Sequence, residues 1–178
     1  ENVRIGIAIN CAGYAKIGNY KRVSAYDSDN MIDLNCRAPV DVTLKCLPYM
    51  KEGDRLIQIC SAAAFQPLQH INIYAASKSF LYSYSRALRM ELLPRHISVT
   101  AVCPLWIKDT EFIKIAKETG SRDDQDKPLP IKSFPTALTS KRVVRRALFD
   151  SRAGFAVSTP GVISFFYRLF SKLISNCI

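Results

Sequence analysis

At 178 residues, 48% of them hydrophobic, the chain has enough material for one domain or a large part of a bigger one, and a single domain over 1–178 is expected. It has no run of 18 apolar residues, and its opening "ENVRIGIAIN" lacks the basic start and cleavage site of a signal peptide, so neither a spanning helix nor a leader is expected. A net charge of +10 suits an anionic membrane, a phosphorylated ligand or a nucleic acid, but no aromatic residues interleave with the densest basic run, which argues against nucleic acid.

The first apolar run, "VRIGIAIN" (3–10), reads as a strand. It ends in "INCAG" (9–13), a small-residue turn that lets a ligand approach the backbone. Residues 27–50 open with capping residues and carry Met31, Leu34, Ala38 and Val42 along one stripe, which predicts a crossover helix. Within it, Pro39 has no N–H to offer the carbonyl of Asn35, so a kink is expected there, with that carbonyl left for a water. "RLIQIC" (55–60) is a second strand, followed directly by Ser61.

Residues 74–93 predict a second crossover helix, with Leu81, Tyr84, Leu88 and Leu92 inward and Pro94 ending it. A third strand, "ISVTAVC" (97–103), leads into a substrate loop over 105–135, whose polar, proline-rich part (119–135) suits either a lid or a plain connection. "SKRVVRRALFD" (140–150) predicts a helix with Val143, Val144, Ala147 and Leu148 inward and its cations outward. A weaker strand, "GFAVST" (154–159), follows. The tail (160–178) places Phe165, Phe166, Leu169, Phe170, Leu173 and Ile174 on one helical face with Arg168 and Lys172 opposite, a pattern for core or subunit packing or for weak contact with a membrane surface. Strands alternating with long helical patterns argue for an α/β fold with a mainly parallel sheet.

The six cysteines (11, 36, 46, 60, 103 and 177) form no C-x-x-C pair, and the only histidines are His70 and His96. No metal site is expected, and the pattern suits reduced thiols in a cytoplasmic protein.

Tyr74 and Lys78 stand four apart and so stack on one helical face near its start. A free phenol titrates near ~10, but a neighbouring ammonium and the positive helix end favour phenolate, so the pair is expected to bring Tyr74 toward a working range. Ser61, at the carboxyl end of a parallel strand, is placed to hold a carbonyl oxygen beside Tyr74.

Taken together, these residues resemble the short-chain dehydrogenase/reductase family. Its Asn-Asn-Ala-Gly strand end corresponds to Asn10-Cys11-Ala12-Gly13, its active-site asparagine to Asn35, its serine thirteen residues before Tyr-x-x-x-Lys to Ser61 with Tyr74 and Lys78, and its Pro-Gly turn to Pro104. The resemblance spans residues 3 to about 160. It implies a partial Rossmann-type three-layer α/β/α sandwich that lacks its N-terminal β-α units, and hydride transfer between NAD or NADP and a small carbonyl or alcohol. It also implies Tyr74 as acid and base, Ser61 positioning the substrate oxygen, Lys78 lowering the Tyr74 pKa and holding the nicotinamide ribose, and Asn35 anchoring a water. Asn10, Ala12, Gly13, Pro104, Ile107 and Thr110 would line the cofactor, and a homo-oligomer is implied.

The sequence departs from the family at three points. No glycine-rich phosphate turn is present, so on this resemblance the chain starts at the family's fourth strand, ~80 residues in at about 30 per β-α unit, and by itself is expected to be inactive. Leu105 replaces a glycine, where a side chain would crowd nicotinamide or restrict the backbone, and Thr110 falls one residue late. These departures keep open a second reading, a Rossmann-like relic or binding module without catalysis.

Overall fold

Valine, isoleucine and alanine dominate the apolar runs, and in the computed structural model, which describes residues 3–117, 134 and 136–173, these runs pair as parallel strands. β1 (Ile7–Asn10), β2 (Arg55–Ile59), β3 (Ser98–Val102) and β4 (Val157–Ser158) lie side by side in that order. Their register pairs Ile9 with Ile57, Ile57 with Thr100 and Ala101 with Val157. The helices are α1 (Ala25–Ile32), α2 (Ala38–Cys46), α3 (Asn72–Leu92), α4 (Phe112–Lys117), α5 (Ser140–Arg152) and α6 (Val162–Phe170).

Alternation along the strands builds a core on each side of the sheet. Leu56 packs with Ala8, Val99, Leu88 and Leu92 on the α2–α3 side. Its neighbour Ile57 points the other way and packs with Val102, Val143 and Ala147 under α5. Burying each leucine, isoleucine or valine among these is worth about 2 kcal/mol. Helices on both faces of a parallel sheet make the expected three-layer α/β/α arrangement.

Part of the sheet is bare. Ile7 and Ile9 of β1 are 47% and 52% exposed on the face that α5 covers farther along.

The first crossover departs from the expected stripe. Met31 is buried as expected, but Val42 is 45% exposed, and the buried positions are Met31, Asn35, Pro39 and Thr43. The cause is a π-helical turn over Asp33–Arg37, where the N–H of Ala38 bonds to the carbonyl of Asp33. Pro39 cannot make the α-helical bond back to Asn35, and the backbone accommodates this by widening. One extra residue in the turn changes the inward spacing to four, so Asn35 rather than Leu34 faces the core.

Two further expectations change in the C-terminal region. On α5, Val143 and Ala147 are buried, whereas Val144 and Leu148 are 53% and 44% exposed, because the two-residue strand β4 offers only a narrow surface. On α6, Phe165, Phe166, Leu169 and Phe170 face solvent instead of a core of this chain. Ile174 and residues 118–133 and 135 of the substrate loop lie outside the described residues.

Ahead of β2, Asp54 is 3% exposed, pairs with Arg4 (Nη2–Oδ1 2.6 Å) and accepts from the N–H of Lys51 at 2.6 Å. The Arg4 hydrogen bond holds its carboxyl below the usual range, against the opposing effect of burial. A carboxylate depressed on folding contributes stability that is complete above the unfolded value of ~3.9 and is lost as pH falls through the folded one. Asp54→Asn should therefore flatten the acid side of the stability curve, measured by urea unfolding at neutral pH and near pH ~3. A parallel loss for both proteins would rule this out.

Candidate active site

The carboxyl ends of β1, β2 and β3 open toward the start of α3, which brings Tyr74 and Lys78 to one face. Tyr74 is 7% exposed, with its ring 5.4 Å from that of Phe112. The Lys78 ammonium lies 5.8 Å from the centre of the Tyr74 ring, is buried, and donates to the carbonyl of Ile59 at 2.9 Å. Ser61 follows β2 and caps the short helical turn Ala62–Phe65 by accepting from the N–H of Ala63 at 3.1 Å. Its hydroxyl stands beside the Tyr74 phenol and favours the ionised form of that phenol.

The π-turn presents Asn35 to the same place. Its Oδ1 accepts from the N–H of Tyr14 at 3.1 Å, and its Nδ2 donates to Tyr14 O at 2.9 Å and to Ser77 Oγ at 3.1 Å. Ser77 in turn donates to Tyr74 O at 2.8 Å. Below them lies Gly13, where an added Cβ would sit 2.8 Å from Asn35 Oδ1 and 3.1 Å from Lys78 Nζ. Asn35, Ser61, Tyr74 and Lys78, from three separate segments, thus gather around one point.

The electrostatics differ from the expectation. Burial pushes the Tyr74 phenol up to about 12, and the opposing pull comes from the neighbouring Ser61 hydroxyl. Lys78 is itself shifted down by burial. Two groups inside the same low-dielectric pocket both favour their neutral forms, and this outweighs an ammonium 5.8 Å from the ring centre.

The expected cofactor contacts divide. Ala12 is exposed, and Gly13 is half-buried beside Lys78. Asn10 turns inward: its Nδ2 lies 2.9 Å from Gln58 Oε1, 3.0 Å from Thr43 Oγ1 and 3.2 Å from Pro39 O, clamping β1 to α2 and β2. Pro104 is buried, and its carbonyl accepts from the N–H of Ala62 at 2.9 Å, which ties the end of β3 to the Ser61 turn. Ile107 bridges to Leu138, and Thr110 is exposed and donates to Ile107 O at 3.4 Å. Leu105 has no left-handed φ, so leucine fits this backbone without strain. Its side chain lines a cavity of about 360 Å³ with Leu138, Pro160 and Ile163, whose walls include none of Ser61, Tyr74 or Lys78.

A family model for short chain dehydrogenases matches residues 2–120. The chain belongs to that family. It is 30% identical over 155 residues to the probable short-chain type dehydrogenase/reductase VdlC of Helicobacter pylori, covering 82% of this chain and 57% of VdlC. The chain spans about half the length of the curated relatives it matches. Its fold superposes with a TM-score of 0.74 on a short-chain dehydrogenase from Sphingobium yanoikuyae in complex with NADPH, at 23% identity over 97% of this chain and 67% of that one. It superposes at 0.63 on 4-hydroxyisoleucine dehydrogenase complexed with NADH, at 21% identity over 88% of this chain and 68% of that one.

In this short-chain dehydrogenase chain, four contributors escape the motif reading. Ser77 holds Asn35, and its place three residues after Tyr74 was the available signal, since a helical serine bonds back one turn. Tyr14 acts through its backbone, which no side-chain pattern reveals. Phe112 packs on Tyr74, and Trp106 packs on Phe112 at 6.4 Å, both from the stretch after β3.

Proposed function

We propose that the protein containing this chain is an NAD(P)-dependent oxidoreductase that interconverts a small carbonyl and its alcohol at Tyr74. The observation that carries this reading is the buried Tyr74 phenol beside Ser61, one helical turn from the buried Lys78 ammonium. Of the three N–H donors on Lys78, one is taken by Ile59 O, leaving others for ribose hydroxyls, and the exposed loop at Ala12 allows close backbone approach. The residues present therefore fit the nicotinamide end of the cofactor. They do not include the glycine-rich turn that would hold its phosphates.

When bound, the nicotinamide supplies or accepts hydride. Ser61 accepts from Ala63 N, which leaves its own O–H to donate to the phenolic or substrate oxygen. Tyr74, protonated at neutral pH, is set to give its proton to a carbonyl oxygen as hydride arrives on carbon, so reduction is the ready direction. Asn35 fixes the Tyr14 loop through its side chain, and its main-chain carbonyl, beside a proline without an N–H, is the acceptor for a water that resupplies protons. Phe112 and Trp106 form an apolar wall that keeps bulk water away. NAD and NADP both remain within this reading, and a homo-oligomer suits the family.

The test is consumption of NADH or NADPH by the full-length protein against a panel of ketones and aldehydes. Saturable nucleotide binding without turnover of any carbonyl would favour a binding module. The 178-residue chain alone, with Ile7 and Ile9 bare on β1, is expected to self-associate and to give no saturable fluorescence change with either nucleotide. Saturable binding by a monomer would contradict this.

A further inference from the structure

We propose that α6, with the cationic side of α5 next to it, docks on the surface of a bilayer carrying anionic lipids. α6 is amphipathic in the reverse sense to a core helix. Its one buried residue is Ser164, which donates to the carbonyl of Cys103 at 2.7 Å. Just beyond it, the carbonyl of Ser171 accepts from Gln66 at 2.6 Å, and Tyr167 lays its ring 6.2 Å from that of Phe65. The polar edge thus faces the protein. Val162, Ile163, Phe165, Phe166, Leu169 and Phe170 face outward, each between 47% and 67% exposed. A contiguous apolar surface of this kind marks an interaction site.

Charge selects what covers it. A groove of about 1150 Å³ runs between α5 and α6, with Lys141, Arg142 and Arg145 on one wall and Val162 and Phe165 on the other. Those three cations are exposed and form no ion pair among the described residues, whereas Arg146 is held by Asp150 at 2.8 Å. A second copy docked by two-fold symmetry would set this cation row against itself, in a chain already carrying +10. Anionic headgroups complement the row, while the aromatic side chains beside it enter the acyl boundary. No described helix is long and apolar enough to cross a membrane, so the contact lies in the plane of the surface.

Co-sedimentation of the full-length protein with vesicles tests this. Phosphatidylcholine vesicles containing phosphatidylserine should bring the protein down at low salt, and pure phosphatidylcholine vesicles should not. The double variant Lys141→Glu/Arg145→Glu should weaken binding at least ~10-fold, and Phe166→Ser/Phe170→Ser should weaken it comparably, with circular dichroism spectra unchanged. Equal binding to neutral vesicles, or no binding to anionic ones, would overturn the proposal. So would a result in which the phenylalanine variant keeps its lipid binding but loses concentration-dependent self-association, because the patch would then be covered by a second copy.

Discussion

Tyr74→Phe in the full-length protein should lower carbonyl turnover by roughly 100- to 10,000-fold, the usual contribution of a positioned proton donor, and leave nucleotide affinity within about threefold. The substitution removes one oxygen and little else. The ring keeps its contact with Phe112, Lys78 keeps Ile59 O, and Ser61 keeps Ala63 N. Nearly wild-type turnover would remove Tyr74 from the reaction and leave the buried pair a structural role only.

The same variant has a second readout, in stability. A phenol raised on folding contributes stability that is fully present below the unfolded value of ~10 and is lost as pH climbs through the folded value of about 12. Lys78, shifted down by burial, acts in the opposite sense over part of the alkaline range, so the informative quantity is the difference between wild type and variant. That difference should favour wild type at neutral pH and shrink as alkali is added, in melting curves taken across that range. If it stayed constant, the phenol would not be titrating as its burial requires.

How much of this was legible in the sequence depends on which forces fix each feature. Strand and helix periods are local properties, so the parallel sheet and α3 with Leu81, Leu88 and Leu92 inward could be read directly. The gathering of Ser61, Tyr74, Lys78 and Asn35 followed from spacing matched to a family pattern. The inward stripe of the first crossover did not, because a π-turn breaks the 3.6 period that such reading assumes, although Pro39 marked the place. The Tyr74 pKa was missed for a different reason. Proximity of Tyr74 and Lys78 follows from i, i+4 stacking, but desolvation depends on what packs around them, here Phe112 from another part of the chain. The outward face of α6 was visible as a face, but only Ser164 and its partner at Cys103 show which side meets the protein.

Gly13→Ala should be strongly disruptive. The added Cβ would lie 2.8 Å from Asn35 Oδ1, a contact that real Cβ atoms do not make, and 3.1 Å from Lys78 Nζ. Asn35 cannot move aside cheaply, since it is fully buried and bonded to Tyr14 N, Tyr14 O and Ser77 Oγ. Overpacking costs about 1–3 kcal/mol, and a displaced buried amide adds a further ~1–3 kcal/mol for a group left unsatisfied, so a loss of roughly 2–6 kcal/mol in urea unfolding is expected. Gly6→Ala is the control, because its Cβ would meet only Asp54 Oδ1 at 3.9 Å, an ordinary contact. That change should be neutral or add up to ~1 kcal/mol by restricting the unfolded chain. In the full-length protein, Gly13→Ala should also remove turnover, because the displacement passes directly to Asn35 and the Lys78 ammonium. Equal stability of the two alanine variants would mean that the loop after β1 does not pack on Asn35, and the site would lose the floor that sets Lys78 beside Tyr74.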